Sequence, residues 1–104
     1  MGAGITLDTD YPYKGQTGTC DPSKVKAVAG IKGYVTVQPN NYTALATAVA
    51  TQGPVSITVA AGGIGWQLYS SGVYGGGTFG KCGFSLDHGV QLVGYGTDGA
   101  KDYW

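Results

Sequence analysis

The sequence predicts a mostly β domain with one short helix, and three features of its 104 residues support this prediction. Val, Ile, Thr and Tyr outnumber the strong helix formers, which favours strands. Glycine accounts for 20 residues, well above the usual share of ~7%, and favours turns. A chain of this length holds one core at most. We expect a single domain over residues 1–104, with an extended lead-in over 1–30 and a β-rich part over 31–104.

The first regular elements lie near the middle of the chain. Residues 31–37 are rich in β-branched side chains and predict a strand. Asn41 then predicts the cap of a helix from residue 42 to about 51, because its side-chain oxygen can accept from the first helical turn. Gly53-Pro54 stops this helix. Its apolar face is predicted to contain Leu45, Ala48 and Val49.

The second half predicts, in order, a strand over 55–60, a helical turn over 66–69, a loop at Gly75-Gly76-Gly77 and a strand over 86–95. Asp98-Gly99 is typical of a hairpin turn, and residues 101–104 begin a returning strand. Because a domain seldom stops on an aromatic residue in mid-strand, we expect the chain to be a truncated segment.

Charge and hydropathy exclude several classes of function. Six lysines and six aspartates give a net charge of zero, which argues against nucleic-acid binding. No apolar run reaches the ~18–20 residues of a membrane span, and no signal peptide is visible. Met1-Gly2-Ala3 opens a myristoylation pattern, but we interpret Met1 as a start placed inside a longer protein.

The sequence offers candidate dinucleotide and metal sites, and the residues around each candidate argue against it. The run of residues 94–99 matches a dinucleotide fingerprint, but that motif needs a helix next and an acidic residue about 20 positions later. The residues that follow predict a strand instead. One histidine and two widely separated cysteines give no metal-ligand spacing. We therefore predict no cofactor and no metal.

Two polar residues carry candidate sites. Asn41-Tyr42-Thr43 is an N-glycosylation sequon, although the helix cap is the interpretation that we prefer for Asn41. His88 is the sole histidine and lies at the start of a predicted strand. Its spacing alone does not separate a catalytic from a structural role. Gly89 beside it permits close approach of another backbone or a ligand.

Ordered segments along the whole chain point to one family. The segments are Gly4-Ile5 with Asp10-Tyr11-Pro12-Tyr13, Thr19-Cys20, Gly33-Tyr34-Val35, Gly53-Pro54-Val55-Ser56, Gln67-Leu68-Tyr69-Ser70-Ser71-Gly72-Val73-Tyr74, Leu86-Asp87-His88-Gly89-Val90 with Val93-Gly94-Tyr95-Gly96, and Lys101-Asp102-Tyr103-Trp104. In this order and spacing the chain resembles the papain-like cysteine peptidases of the cathepsin L and plant type. The resemblance implies an α+β, mostly antiparallel β fold, an incomplete version of the barrel-like right-hand domain with one short helix.

The resemblance also implies roles for single residues. His88 falls where the family keeps the imidazole that pairs with the nucleophilic thiolate, acting as base and then as acid. Asp87 would line the cleft. Thr58, Gly89 and Leu86 fall near positions that shape the pocket for the substrate's second residue.

Other family features are missing from these residues. The Gly-Ser-Cys-Trp helix of the nucleophile does not occur, and the orienting asparagine would lie beyond Trp104. Cys20 and Cys82 match disulfide positions whose partners would lie in missing parts. We therefore expect the isolated chain to be inactive and to lack its N-terminal helical half. We also expect it to form homo-oligomers. A noncatalytic remnant, or a binding or assembly domain, is the alternative.

For the whole protein, the family resemblance implies a peptide or protein substrate and a lysosomal, vacuolar or secreted location.

Overall fold

A computed structural model describes residues 4–75 and 82–104 of the chain. Its residues divide into two compact units, Met1–Thr36 and Val37–Trp104. Gly76 and Gly77 of the expected glycine loop, and Met1-Gly2-Ala3 of the myristoylation pattern, lie outside the described residues. In the part that is described, no helix is long and apolar enough to cross a membrane.

In the first unit, backbone hydrogen bonds join the segment at Ile5 to the segment at residues 28–29. The Ile5 amide donates to the carbonyl of Ala29 at 2.8 Å, and the Val28 amide donates to that of Ile5 at 2.9 Å. A 3-10 helix spans Pro22–Lys24. Gly4 has a φ of +94°, and a Cβ there would lie 2.7 Å from the Ala27 side chain. Only glycine can therefore hold the chain this close to its neighbour.

Helix α1 opens the second unit and spans Tyr42–Gln52. The Asn41 side chain accepts from the Ala44 amide at 2.9 Å, which confirms the predicted cap. Gly53 ends the helix at a φ of +97°, and its amide donates to Val49. Val49 is buried, while Leu45 and Ala48 are half-buried, so the predicted apolar face is confirmed.

A two-stranded antiparallel ribbon follows, formed by β1 (Val55–Val59) and β2 (His88–Leu92). Val55 lies opposite Leu92, Ile57 opposite Val90 and Val59 opposite His88. Directly opposed side chains share one face, so the apolar residues of both strands cover the same side of the ribbon. Leu92 is its buried member. The third predicted strand, over 86–95, is shorter than expected because β1 offers it only five partners.

The remaining elements are short. Helix α2 spans Ile64–Gln67, so the predicted helical turn begins two residues earlier than expected. Strands β3 (Gly96–Asp98) and β4 (Lys101–Tyr103) form the predicted hairpin. Gly99 in its turn has a φ of +60°, a conformation that glycine adopts without strain.

The predicted strand over residues 31–37 is wrong. The structure assigns no strand there, and Ile31, Tyr34 and Val35 are between 68% and 94% exposed. β-branched residues favour a strand only where a neighbouring strand can pair with them and cover one face. Among the described residues, this segment has no such neighbour.

Candidate active site

His88 is the first residue of β2 and is solvent-exposed. It lies opposite Val59, the last residue of β1. Side chains alternate along a strand, so His88 leaves the ribbon on the face that carries Val90 and Leu92. Pairing with β1 therefore fixes the backbone of His88, while its imidazole, the only one in the chain, remains open to a reacting partner.

Asp87 fastens the backbone beside His88 through two hydrogen bonds. Its amide donates to the carbonyl of Val59 at 3.1 Å. Its carboxylate oxygen Oδ1 accepts from the Ala61 amide at 2.7 Å. The other oxygen lies so near Gly62 that a Cβ at that position would be 2.7 Å from it. Asp87 thus joins the start of β2 to the connection that follows β1.

The residues expected to shape a substrate pocket are brought together only in part. Thr58 and Gly89 face each other across the ribbon, one step from the pair of Val59 and His88. Because neighbouring pairs point to opposite faces, the Thr58 side chain leaves the ribbon on the side away from His88. Leu86 precedes β2 and is 63% exposed. Their role in binding substrate remains a prediction.

Both cysteines are free and exposed thiols. Cys20 lies in the first unit, just before the 3-10 helix. Cys82 lies in the second unit and lines a cavity of about 1010 Å³. His88 is not among the described residues that line this cavity. The cavity therefore gives no support to a pairing of Cys82 with the imidazole.

Among the described residues, five aromatic side chains line this cavity, a grouping that the sequence did not predict. The Trp66 and Tyr74 rings meet edge to face at 5.7 Å between centroids, and Tyr69 meets Tyr74 at 6.3 Å. Tyr103 and Trp104 from the hairpin complete the aromatic wall. The sequence carries three aromatic residues over 66–74, but that segment taken alone predicts a helical turn followed by a loop.

Metal chemistry finds no support in the described ranges 4–75 and 82–104. Within them, no group of three or more His, Cys or Asp side chains could hold an ion. The carboxylate nearest in sequence to His88 is that of Asp87, and it is already bonded to a backbone amide.

Comparison with known proteins places the chain in a family. A sequence profile described as papain family cysteine protease matches residues 1–104. The chain belongs to the papain family of cysteine proteases. It corresponds to a C-terminal part of such a papain-like protein.

Plant cysteine proteases are among its similar relatives. The oryzain beta chain of Oryza sativa subsp. japonica is 51% identical over 102 residues, which cover 97% of this chain and 21% of the relative. The cysteine proteinase RD21A of Arabidopsis thaliana is 50% identical over the same shares of both chains. This papain-family chain therefore spans about a fifth of the length of these relatives.

Solved papain-family structures share its fold. Digestive procathepsin L 3 from Tenebrio molitor superposes with a TM-score of 0.79 at 34% identity, covering 97% of this chain and 32% of the other. Bromelain from Ananas comosus gives 0.77 at 38% identity, covering 97% and 45%. The expected papain-type architecture, mostly antiparallel β with a short helix, is confirmed as an incomplete domain. The described residues form two separate two-stranded sheets and no closed barrel.

Proposed function

We propose that this chain supplies the catalytic histidine of a papain-like cysteine endopeptidase, and that His88 is that residue. The observation that carries the proposal is the position of the sole imidazole, exposed at the first residue of β2. The family match supports it, because the segment around His88 is part of the matched range.

In the complete enzyme, a thiolate from another segment would attack the carbonyl carbon of the substrate's peptide bond. The C–N bond then breaks, the amine leaves with a proton from the His88 imidazolium, and an acyl-enzyme remains. His88 next takes a proton from water, whose oxygen attacks the acyl carbon and releases the thiolate. Asp87 would hold the backbone of His88 during both steps. Thr58, Gly89 and Leu86 are proposed to line the pocket for the substrate's second residue.

Exposed apolar surface supports the need for a complementary segment. Phe84, a large apolar side chain, is 99% exposed. Among the described residues, only Val49 and Leu92 are buried apolar side chains. We infer that a helical half covers much of the remaining surface, and that the isolated chain does not hydrolyse peptides. Cys20 would pair with a cysteine of that half, and Cys82 with a cysteine of the C-terminal strands of the complete enzyme. The relatives favour a vacuolar, lysosomal or secreted location.

A chimera tests the proposal directly. These 104 residues would replace the corresponding part of the oryzain beta chain, which is 51% identical. We expect the chimera to hydrolyse a dipeptidyl fluorogenic substrate and to be labelled by an epoxide that alkylates active-site thiolates. His88→Ala should lower kcat/KM by at least about 10³-fold and leave the unfolding midpoint unchanged.

A noncatalytic role is the competing outcome of the same experiment. A folded chimera without hydrolysis or epoxide labelling would favour a remnant used for binding or assembly. Turnover by the isolated chain, with the epoxide bound at Cys20 or Cys82, would show that the nucleophile has been assigned to the wrong segment.

A further inference from the structure

The start of helix α1 combines two functions of one asparagine. Asn41 is the helix cap, and with Tyr42 and Thr43 it also forms an N-glycosylation sequon. The two roles look exclusive in the sequence, because each uses the Asn41 side chain. In the structure, the two roles use different atoms of that side chain.

The cap uses only the carbonyl oxygen of the Asn41 amide. Oδ1 accepts from the Ala44 amide at 2.9 Å. The nitrogen Nδ2 donates to the side-chain oxygen of Gln38, which precedes the helix, at 2.9 Å in an exposed contact. An N-linked glycan attaches to Nδ2 and leaves Oδ1 as an acceptor. Nδ2 also keeps one hydrogen after the reaction, so a donor toward Gln38 remains.

Asn41 is half-buried, and the residues on both sides of it include exposed ones. Gln38 and Asn40 precede it as exposed residues, and Thr43 of the sequon is exposed as well. Asn40 has a φ of +56°, which turns the chain just before the helix. Neutral, solvent-exposed turns of this kind are where a bulky, hydrated group costs least.

We propose that Asn41 is an N-glycosylation site whose glycan is carried without loss of the helix cap. The co-reactant is an oligosaccharide linked through a diphosphate to a membrane lipid. The bond between the anomeric carbon and the diphosphate oxygen breaks, a bond from that carbon to Nδ2 forms, and Nδ2 loses one proton. The lipid diphosphate leaves with the electron pair, so no oxidant or reductant is needed. This inference does not depend on His88 or on peptidase activity.

The test uses the full chain, fused behind a secretory signal and translated with microsomal membranes. We expect one discrete increase in mass that peptide N-glycosidase removes, leaving aspartate at position 41 in the peptide map. Thr43→Ser should keep the modification. Thr43→Ala should abolish it while retaining the Asn41 cap, so it is the matched control.

Translocation needs its own reporter, because a chain that never enters the membrane vesicle cannot be modified. A C-terminal tag with a second acceptor sequon serves this purpose. Glycosylation of both the tag and Asn41 supports the proposal. Glycosylation of the tag alone overturns it, whether or not the chimeric peptidase is active.

Discussion

Asp87 and Ala61 are joined by a 2.7 Å hydrogen bond between the Ala61 amide and the Asp87 carboxylate, across 26 residues of sequence. The bond ties the residue before His88 to the connection that leaves β1. A charge-assisted bond of this kind is stronger than one between neutral groups. The backbone at His88 is therefore held both by its pairing with β1 and by the hydrogen bond of Asp87.

Asp87→Ala should remove this link and loosen the start of β2. In the chimera, we expect the free energy of unfolding to fall by about 1 kcal/mol, because the Ala61 amide loses its partner but remains accessible to water. Asp87→Asn is the matched control, since an amide oxygen can still accept from Ala61. Urea denaturation measures both variants. If Asp87→Ala and Asp87→Asn lower the free energy of unfolding equally, the negative charge of Asp87, and not its acceptor oxygen, stabilises the start of β2.

The sequence predicted the elements whose local chemistry is self-contained. The Asn41 cap and Gly53 stop bound α1 without help from distant residues, and the Asp98-Gly99 turn defines the hairpin. Residues 31–37 show where prediction from local composition fails. Their β-branched composition describes a segment that fits a sheet, but only tertiary pairing decides whether a sheet is present.

The candidate site divides in the same way. His88 could be found because the chain has one histidine in a distinctive ordered context. The bond from Ala61 to Asp87 could not be found, because it depends on the register between β1 and β2 and on a backbone amide that has no sequence signature. The aromatic cavity joins residues 66–74 to Tyr103 and Trp104. Such long-range proximity is likewise invisible to local periodicity.

Thiol titration should find two free thiols per chain under denaturing, nonreducing conditions. Cys20 and Cys82 are exposed thiols in the structure, and their family partners would lie in other segments. A bridge between them would need Cα atoms within ~7 Å. It would close a loop of ~60 residues and contribute roughly 4 kcal/mol by chain entropy. A monomer with no reactive thiol would contradict the expectation.

Low pH should release the turn at Asp21. Hydrogen bonds from the Ser23 hydroxyl and then the Ser23 amide hold the pKa of Asp21 below its ordinary 3.8, with a smaller contribution from Lys24. A lowered folded pKa stabilises the turn fully above pH 3.8, and this contribution is lost as the pH falls through the lower folded value.

An NMR titration of the Ser23 amide should therefore show a midpoint below 3.8. Asp21→Asn, which keeps an acceptor and has no proton to gain, should remove the transition. A midpoint at or above the ordinary value would contradict the hydrogen-bonding cause.

Self-association is the expected behaviour of the isolated chain. Within the described part, β1 and β2 each have only one partner strand, so each leaves one edge open. Val93 and Leu68 are both 74% exposed, and Phe84 is 99% exposed. Open strand edges and exposed apolar side chains bring further copies together. Light scattering should detect a dimer or a larger assembly as the concentration rises.

Gln91→Lys tests whether the ribbon edge is responsible. Gln91 is an exposed residue of β2, where a lysine charge opposes the approach of a second strand. Ser71→Lys adds the same charge at an exposed bend outside the strands and is the matched control. We expect Gln91→Lys to shift the assembly toward monomer and Ser71→Lys to leave it unchanged. If both variants shift it equally, net charge controls association; a monomer for the unmodified chain at high concentration would contradict the prediction itself.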